Sequence, residues 1–281
     1  MTKSENQGNG NIVCQVVNNK VELTQLSFAY PVRLMQPKSF LDNHQAVYIL
    51  GYGGGLLAGD HVSLSVHVKE SASLSIHSQA STKVYKRIMD DQYSSQDMIV
   101  ELEANAFLCL LPEPVTCFSK AAYKQHQIFN LHKDSSLLLL DWFTPGRVSR
   151  GEVYDFDYYY SENIINIDGK RFAREAYMLK DEEGFSLKER MGKYECFANV
   201  YMYGSRLDDL ISETQMECTS NVIHRKGTAE PIMWSVSPLC FDAKHGLVLR
   251  ACAIDTIAMR EFLLARFKSI DNEIGNLFSR I

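Results

Sequence analysis

Apolar and polar residues alternate with a period of two through much of this chain, the pattern of half-buried β-strands. In residues 61–69, Val62, Leu64, Val66 and Val68 fall on one face and His61, Ser63, Ser65 and His67 on the other. Residues 72–78 set Leu74 and Ile76 against Ser73, Ser75 and His77, and residues 98–104 repeat the pattern through Met98, Val100 and Leu102. Residues 153–160 alternate aromatic with acidic side chains, and 163–167 run into Asp168-Gly169, a hairpin-type turn. Short strands are also predicted over 46–50, 185–187, 196–203 and 246–254, and the four leucines of 137–140 read as a fully buried strand ending in Asp141. Helical spacing is confined to the last third. Asp255 is placed to cap a helix carrying Ile257, Met259, Phe262, Leu263, Phe267 and Ile270, and a second helix is predicted over 205–217. The expected fold is mainly β, with a few helices in the C-terminal third.

Composition narrows the class. The 281 residues are 46% hydrophobic and 22% charged, which excludes disordered, collagen-like and low-complexity chains. A chain of this length buries roughly 75% of its extended surface, enough for one large core or two modest ones. Twenty-nine basic against 34 acidic residues give a net charge of −5, so a strongly basic nucleic-acid footprint is absent. No apolar run approaches the ~20 residues that span a bilayer. Residues 1–10 are polar and Asn/Gly-rich, without the apolar stretch of a secretion signal. The expectation is a cytoplasmic protein with no membrane or nucleic-acid partner. Residues 1–10 are expected to form a disordered tail and 11–281 a single domain with no strict repeat. The seven cysteines (14, 109, 117, 196, 218, 240 and 252) include no C-x-x-C pair and read as reduced apolar fillers.

Four segments carry candidate chemistry. Gly53, Gly55 and Ala58 formally satisfy a dinucleotide-binding pattern, but a strand follows instead of a helix. Gly54 and Gly59 continue into Asp60-His61 where a phosphate loop needs Lys and Ser/Thr. The glycines are better read as permitting positive φ or close backbone approach, with Asp60 as a turn cap or a polar lining residue. If residues 61–69 and 72–78 pair as neighbours across Glu70-Ser71, His61, His67 and His77 share a face and could ligate a metal, although hydrogen-bonded histidines are commoner. Pro112 and Pro114 hold Glu113 in an extended ridge at the surface, either inert or docking a partner. Asp141 must be paired or wet, and Arg147, Arg150 and Glu152 in the following turn could supply the pairing. No nucleophile elbow or zinc-hydrolase motif is present.

Together these motifs resemble the urease accessory protein D family. Residues 53–60 are similar to the family's glycine triplet, aliphatic pair and Gly-Asp end. Gln79, Thr82, Lys83 and Tyr85 stand as in its T-x-Q-A-[AS]-T-K-x-Y segment, with His77 replacing the first threonine. The LPEPV run with Pro112 and Pro114, then the LLLDW…GR…GE run with Gly146, Arg147, Gly151 and Glu152, follow in the family's order. Residues 196–204 match its C-terminal strand, and 28–35 look like the eukaryotic members. The resemblance covers about residues 25–205. It implies a β-helix-like stack of short strands and a non-enzymatic factor that matures urease. Such a factor binds apo-urease and, through an F-type accessory protein, recruits the G-type GTPase that carries nickel. It further implies no tightly bound cofactor, nickel(II) as a transient passenger, and GTP held by the partner. By motif position Asp60, Asp141 and Glu175 are nominated along a nickel tunnel, while Gly53, Gly54, Gly55, Gly59 and the other motif residues named above are structural or interface candidates. The rival readings are a cupin-like metalloenzyme on the histidine face and a plain β-rich interaction module.

Overall fold

The strand-rich pattern is met, in a computed structural model, by a chain whose central part winds between two sheets. The structure describes residues 7–38, 41–220, 231–239 and 246–276. Its strands are β1 (Gln7–Val17), β2 (Lys20–Phe28), β3 (Val32–Met35), β4 (Gln45–Gly51), β5 (His61–Val68), β6 (Ser73–Ser78), β7 (Thr82–Val84), β8 (Ser94–Leu102), β9 (Phe107–Leu111), β10 (Val115–Cys117), β11 (Ala122–Leu131), β12 (Ser136–Thr144), β13 (Tyr158–Ile167), β14 (Lys170–Leu179), β15 (Cys196–Tyr203), β16 (Ile232–Pro238) and β17 (Gly246–Ala253). The helices are α1 (Leu187–Met191), α2 (Asp208–Ser220) and α3 (Thr256–Glu273).

One sheet runs β14-β13-β11-β8-β5-β1-β2 and the other β16-β17-β15-β12-β9-β6-β4-β3, with β10 beside β12 and β7 beside β10. From β4 to β13 the chain winds back and forth between them, adding one parallel strand to each sheet per coil. This is the expected β-helix-like stack. The turns from β5 to β6, β8 to β9 and β11 to β12 close in the same way: the N–H groups of Ala72, Ala106 and Ser135 donate to the carbonyls of Lys69, Glu103 and His132 at 3.0, 3.1 and 2.9 Å. Successive coils are tied at this corner by Phe107 N–H to Ala72 O (2.9 Å) and Ser136 N–H to Ala106 O (2.8 Å). The repeat lies in these backbone bonds and not in residue identity. Antiparallel strands flank the winding: β2 on β1, β14 on β13, β3 on β4, and β15, β17 and β16 beyond β12.

The second sheet is buried on both faces. Leu137, Leu139 and Phe143 of β12 enter the core between the sheets. Leu138, Leu140 and Trp142 point the other way, toward Leu210 and Ile211 of α2 and Met259, Leu263, Phe267 and Ile270 of α3. A strand covered on both sides needs apolar residues at every position, hence the leucine run. At roughly 1.5–3 kcal/mol per large apolar side chain removed from water, this layer dominates the local energetics. Asp255 caps α3 as predicted, its carboxylate accepting the Ala258 N–H at 2.7 Å.

Four expectations are corrected. Residues 7–10 form the start of β1 and are not a tail. Gly8 and Gly10 are buried because any Cβ there would stand 2.6 Å from Pro31 Cδ or 2.5 Å from Leu64 Cδ2, so these glycines mark close approach. Residues 1–6 lie outside the described residues. Residues 185–187 are not a strand: Ser186 caps α1, reciprocally bonded with Glu189. Residues 153–157 are irregular, with Tyr154 at φ 57° and both Tyr154 and Phe156 turned into the core, and β13 starts at Tyr158. Finally, β5 and β6 lie in different sheets and do not pair.

Candidate functional site

Asp141 follows from the phase of β12. Its odd-numbered neighbours Leu139 and Phe143 face the first sheet, and so does its carboxylate, which is buried at 4% exposure. Strands of the first sheet place polar side chains opposite it. Gln125 of β11 donates to Oδ1 at 3.1 Å, while Ser161 (2.9 Å) and Asn163 (2.8 Å) of β13 and Tyr177 of β14 (3.3 Å) donate to Oδ2. Tyr123 extends the seam, its hydroxyl donating to Gln96 Oε1 at 2.6 Å. None of these hydrogen-bond partners is a lysine or arginine. Burial pushes the Asp141 pKa above the ordinary carboxylate value, against the opposing pull of the four donors. The expected pairing with the turn after β12 does not occur. Arg147 forms a two-point ion pair with Glu152 and stacks 4.0 Å from the Phe118 ring, holding that turn together instead.

A cavity of about 50 Å³ lies along this seam, lined by Gln96, Asp97, Gln125, Gln127 and Asp141 and, at its other side, Glu113. It adjoins a second cavity of about 140 Å³ under the glycine loop, sharing Ser78, Thr82 and Gln96 with it. Five buried side-chain oxygens around the seam have no hydrogen-bond partner among the described residues: Glu113 Oε1, Gln127 Oε1, Asn163 Oδ1 and the hydroxyls of Tyr159 and Tyr201. Asp141 is therefore a buried carboxylate held by neutral amide and hydroxyl donors, with open acceptor oxygens on Glu113, Gln127 and Asn163 along the same seam.

The three nominated carboxylates do not form one cluster. Asp60 is buried and caps the turn before β5, accepting the Leu57 N–H at 2.8 Å, which is the turn-cap alternative read from the sequence. Glu175 on β14 is clamped by Arg250 of β17 at 2.9 and 3.0 Å in an open groove beside Phe143 and Met233. Tyr177 lines that groove and also donates to Asp141, so it stands between the two carboxylates. The histidine face is dismantled by the topology. His61 and His67 lie on β5, bonded to Ser95 (2.8 Å) and Glu103 (2.8 Å), whereas His77 is fully buried on β6 in the other sheet. It stacks on Tyr48 at 5.3 Å, and burial lowers its pKa to about 4. Among the described residues no group of three or more His, Cys, Asp or Glu side chains is placed to hold a metal ion. The proline-bracketed segment is not a surface ridge. Glu113 is 7% exposed, its N–H donates to Ser78 Oγ at 2.7 Å, and Trp142 Nε1 donates to Pro112 O at 2.7 Å.

The family model described as UreD urease accessory protein matches residues 6–277. The chain belongs to the urease accessory protein D family. Urease accessory protein D of Oryza sativa subsp. indica is 30% identical over 95% of this chain and 93% of its own length. The protein of that name from Arabidopsis thaliana is 34% identical over 73% of this chain and 71% of its own. A ureD-like accessory protein of Schizosaccharomyces pombe is 32% identical over 92% of both. The match therefore extends well past residue 205. The family is an accessory, maturation factor for urease and not a catalytic enzyme, working with urease and other accessory proteins. Among the described residues no helix is long and apolar enough to cross a membrane.

Of the urease accessory protein D motifs, the glycine loop, the Gln79–Lys83 segment, Pro112 and Asp141 border the two cavities. Gly53, Gly54 and Gly59 adopt positive φ (68°, 77° and 84°), and a Cβ on Gly55 would collide with the Lys83 backbone, so this loop can lie flat on β7. Leu56 N–H donates to Lys83 O at 2.8 Å, and Thr82 N–H to Pro114 O at 3.0 Å. Gln79, Thr82 and Lys83 line the 140 Å³ cavity, and Tyr85 reaches Gly53 O at 3.4 Å while packing edge-on against Phe118. Gly146 (φ 134°) and Gly151 (φ 79°) shape the turn that Arg147 and Glu152 close. Cys14, Cys109, Cys117, Cys196 and Cys252 are buried and Cys218 half-buried; burial pushes the Cys14 thiol up to about 12, in keeping with filler roles. Cys240 lies outside the described residues. The sequence reading missed Gln125, Ser161, Asn163 and Tyr177 as partners of Asp141. The signal was present: Gln125 and Gln127 continue the inward phase set by Tyr123, Phe129 and Leu131, and Ser161 and Asn163 that set by Tyr159 and Ile165.

Proposed function

We propose that this chain is a cytoplasmic scaffold and nickel-delivery chaperone for urease. It binds apo-urease and, with F-type and G-type accessory proteins, passes nickel(II) toward the urease active site. The observation that carries the reading is the family match over nearly the whole chain. The seam around Asp141 supports it physically. Nickel(II) accepts carboxylate, amide and water oxygens, and a relay must hold it weakly enough to release it. Asp141 offers one carboxylate with neutral companions, so an arriving cation meets no resident positive charge among its hydrogen-bond partners. GTP is held by the G-type partner, since this sequence contains no phosphate-binding loop.

The test is urease activity in nickel-fed cells lacking the gene, with and without its restoration. Activity should vanish on deletion and return on restoration at constant urease protein. Asp141→Ala should still co-purify with its partners while urease activation falls. Normal activity in the deletion strain would sink the maturation role for this chain. Full activation by a soluble Asp141→Ala protein would remove nickel passage through the seam.

A further inference from the structure

Glu113 occupies a junction. Among the described residues it alone lines both the inner cavity that holds Asp141 and an open cleft of about 680 Å³ bounded by Gln79, Pro145 and the first turn of α3. Its carboxylate is split between two fates. Oε2 is paired with Arg260 of α3, while Oε1 is buried with no donor among the described residues. A buried acceptor left open is costly, and the places where chains keep one call for an explanation. The segment cannot swing away to relieve it. Pro112 and Pro114 fix the backbone on either side, Ser78 Oγ holds the Glu113 N–H, and Trp142 holds the Pro112 carbonyl. Arg260 is the looser partner, its side chain 27% exposed toward the cleft.

We propose that Glu113 is a gate for a hydrated divalent cation passing between the cleft and Asp141, and that Arg260 is its removable plug. This rests on the nickel-passing function proposed above. In the closed state the guanidinium neutralises one carboxylate oxygen and places a positive charge beside the wall that the two spaces share. A dication reaching the cleft competes for the same carboxylate. As it binds, it gains Oε1 as a ready second ligand, and the guanidinium turns into solvent. No covalent bond is made or broken; one cation replaces another on a fixed carboxylate.

The experiment uses the full chain in deletion cells, with urease activity read across a nickel series. Arg260→Gln should lower the nickel needed for half-maximal activation, and Glu113→Gln should raise it, each by about tenfold, the scale of one lost charge-assisted contact. Both should reach the wild-type maximum at saturating nickel. For the purified chain, equilibrium dialysis with nickel(II) alone should show tighter binding by Arg260→Gln, and Glu113→Gln in the same molecule should cancel that gain. If the two single variants shift the half-point the same way, or lower only the maximum, the pair is structural and the gate is wrong. If Arg260→Gln does not accumulate as folded protein, Arg260→Lys keeps the charge but loses the planar fork, and it must shift the half-point in the same direction by less. Wild-type behaviour of both gate variants beside a defective Asp141→Asn would remove the gate and leave nickel passage standing. Wild-type behaviour of all three would remove both.

Discussion

At the scale of the residue, Asp141 combines burial with a full set of neutral donors. Its folded-state pKa lies above the unfolded value of about 3.9. Between those two values the folded protein holds more protons than the unfolded chain, so Asp141 takes stability away as pH rises through that window. His44 and His77 work in the opposite sense, because burial lowers their pKa values to about 3 and about 4. Their contribution is present above pH ~6.5 and is lost as pH falls toward those values. Denaturant unfolding of wild type and Asp141→Asn at several pH values isolates the carboxylate: the difference should move in favour of wild type as pH falls. A difference independent of pH would show that the carboxyl is not perturbed. Removing both histidines (His44→Gln with His77→Gln) should reduce the acid sensitivity that remains in the Asp141→Asn background.

At the scale of the element, α3 was legible because it keeps one helical period along its length, and β12 because its leucines form an unbroken apolar run. Asp255→Ala should cost about 1 kcal/mol by loss of the cap. Phe267→Ala should cost about 3–5 kcal/mol, since its ring is 2% exposed between helix and sheet. Thermal or denaturant unfolding measures both. The histidine face failed for a different reason. Period two tells which residues share a side of a strand, but not which sheet the strand joins, and here sequence neighbours β5 and β6 belong to opposite sheets. The tail expectation failed because Asn and Gly enrichment looks alike in a mobile segment and in a strand whose glycines touch Pro31 and Leu64. Deleting residues 1–10 removes four residues of β1 that pair with His61, Val62, Ser63 and Leu64. It should lower the unfolding midpoint by several degrees, whereas an unchanged midpoint would return those residues to tail status.

At the scale of the whole molecule, the family was legible from four ordered motifs, and the chain's own chemistry explains why those motifs cohere. The glycine loop, the Gln79–Lys83 segment, the Pro112–Pro114 run and the Asp141 strand all border one set of adjoining cavities. The Glu113–Arg260 pair was not legible, because 147 positions separate its members and only the docking of α3 brings them together. Pairing predictions of that kind need the tertiary arrangement. Glu175 with Arg250 is a second such case, 75 positions apart. Substituting Arg250→Gln should leave the fold intact, since its side chain is 43% exposed and exposed pairs contribute only about 0–1 kcal/mol. A shift of the unfolding midpoint by more than a few degrees would contradict that.

The antiparallel strands beside the winding have a consequence for the protein in solution. A parallel coil has no intrinsic stopping point, since each new strand presents the same row of free backbone groups as the last. Left bare, the outer edge of β13 or β4 would accept a strand from another molecule as readily as from its own chain, and the stack could lengthen from copy to copy. The hairpin partners β14 and β3 reverse direction at those edges and interrupt that succession. Loosening either one should therefore show first as self-association, before any loss of secondary structure.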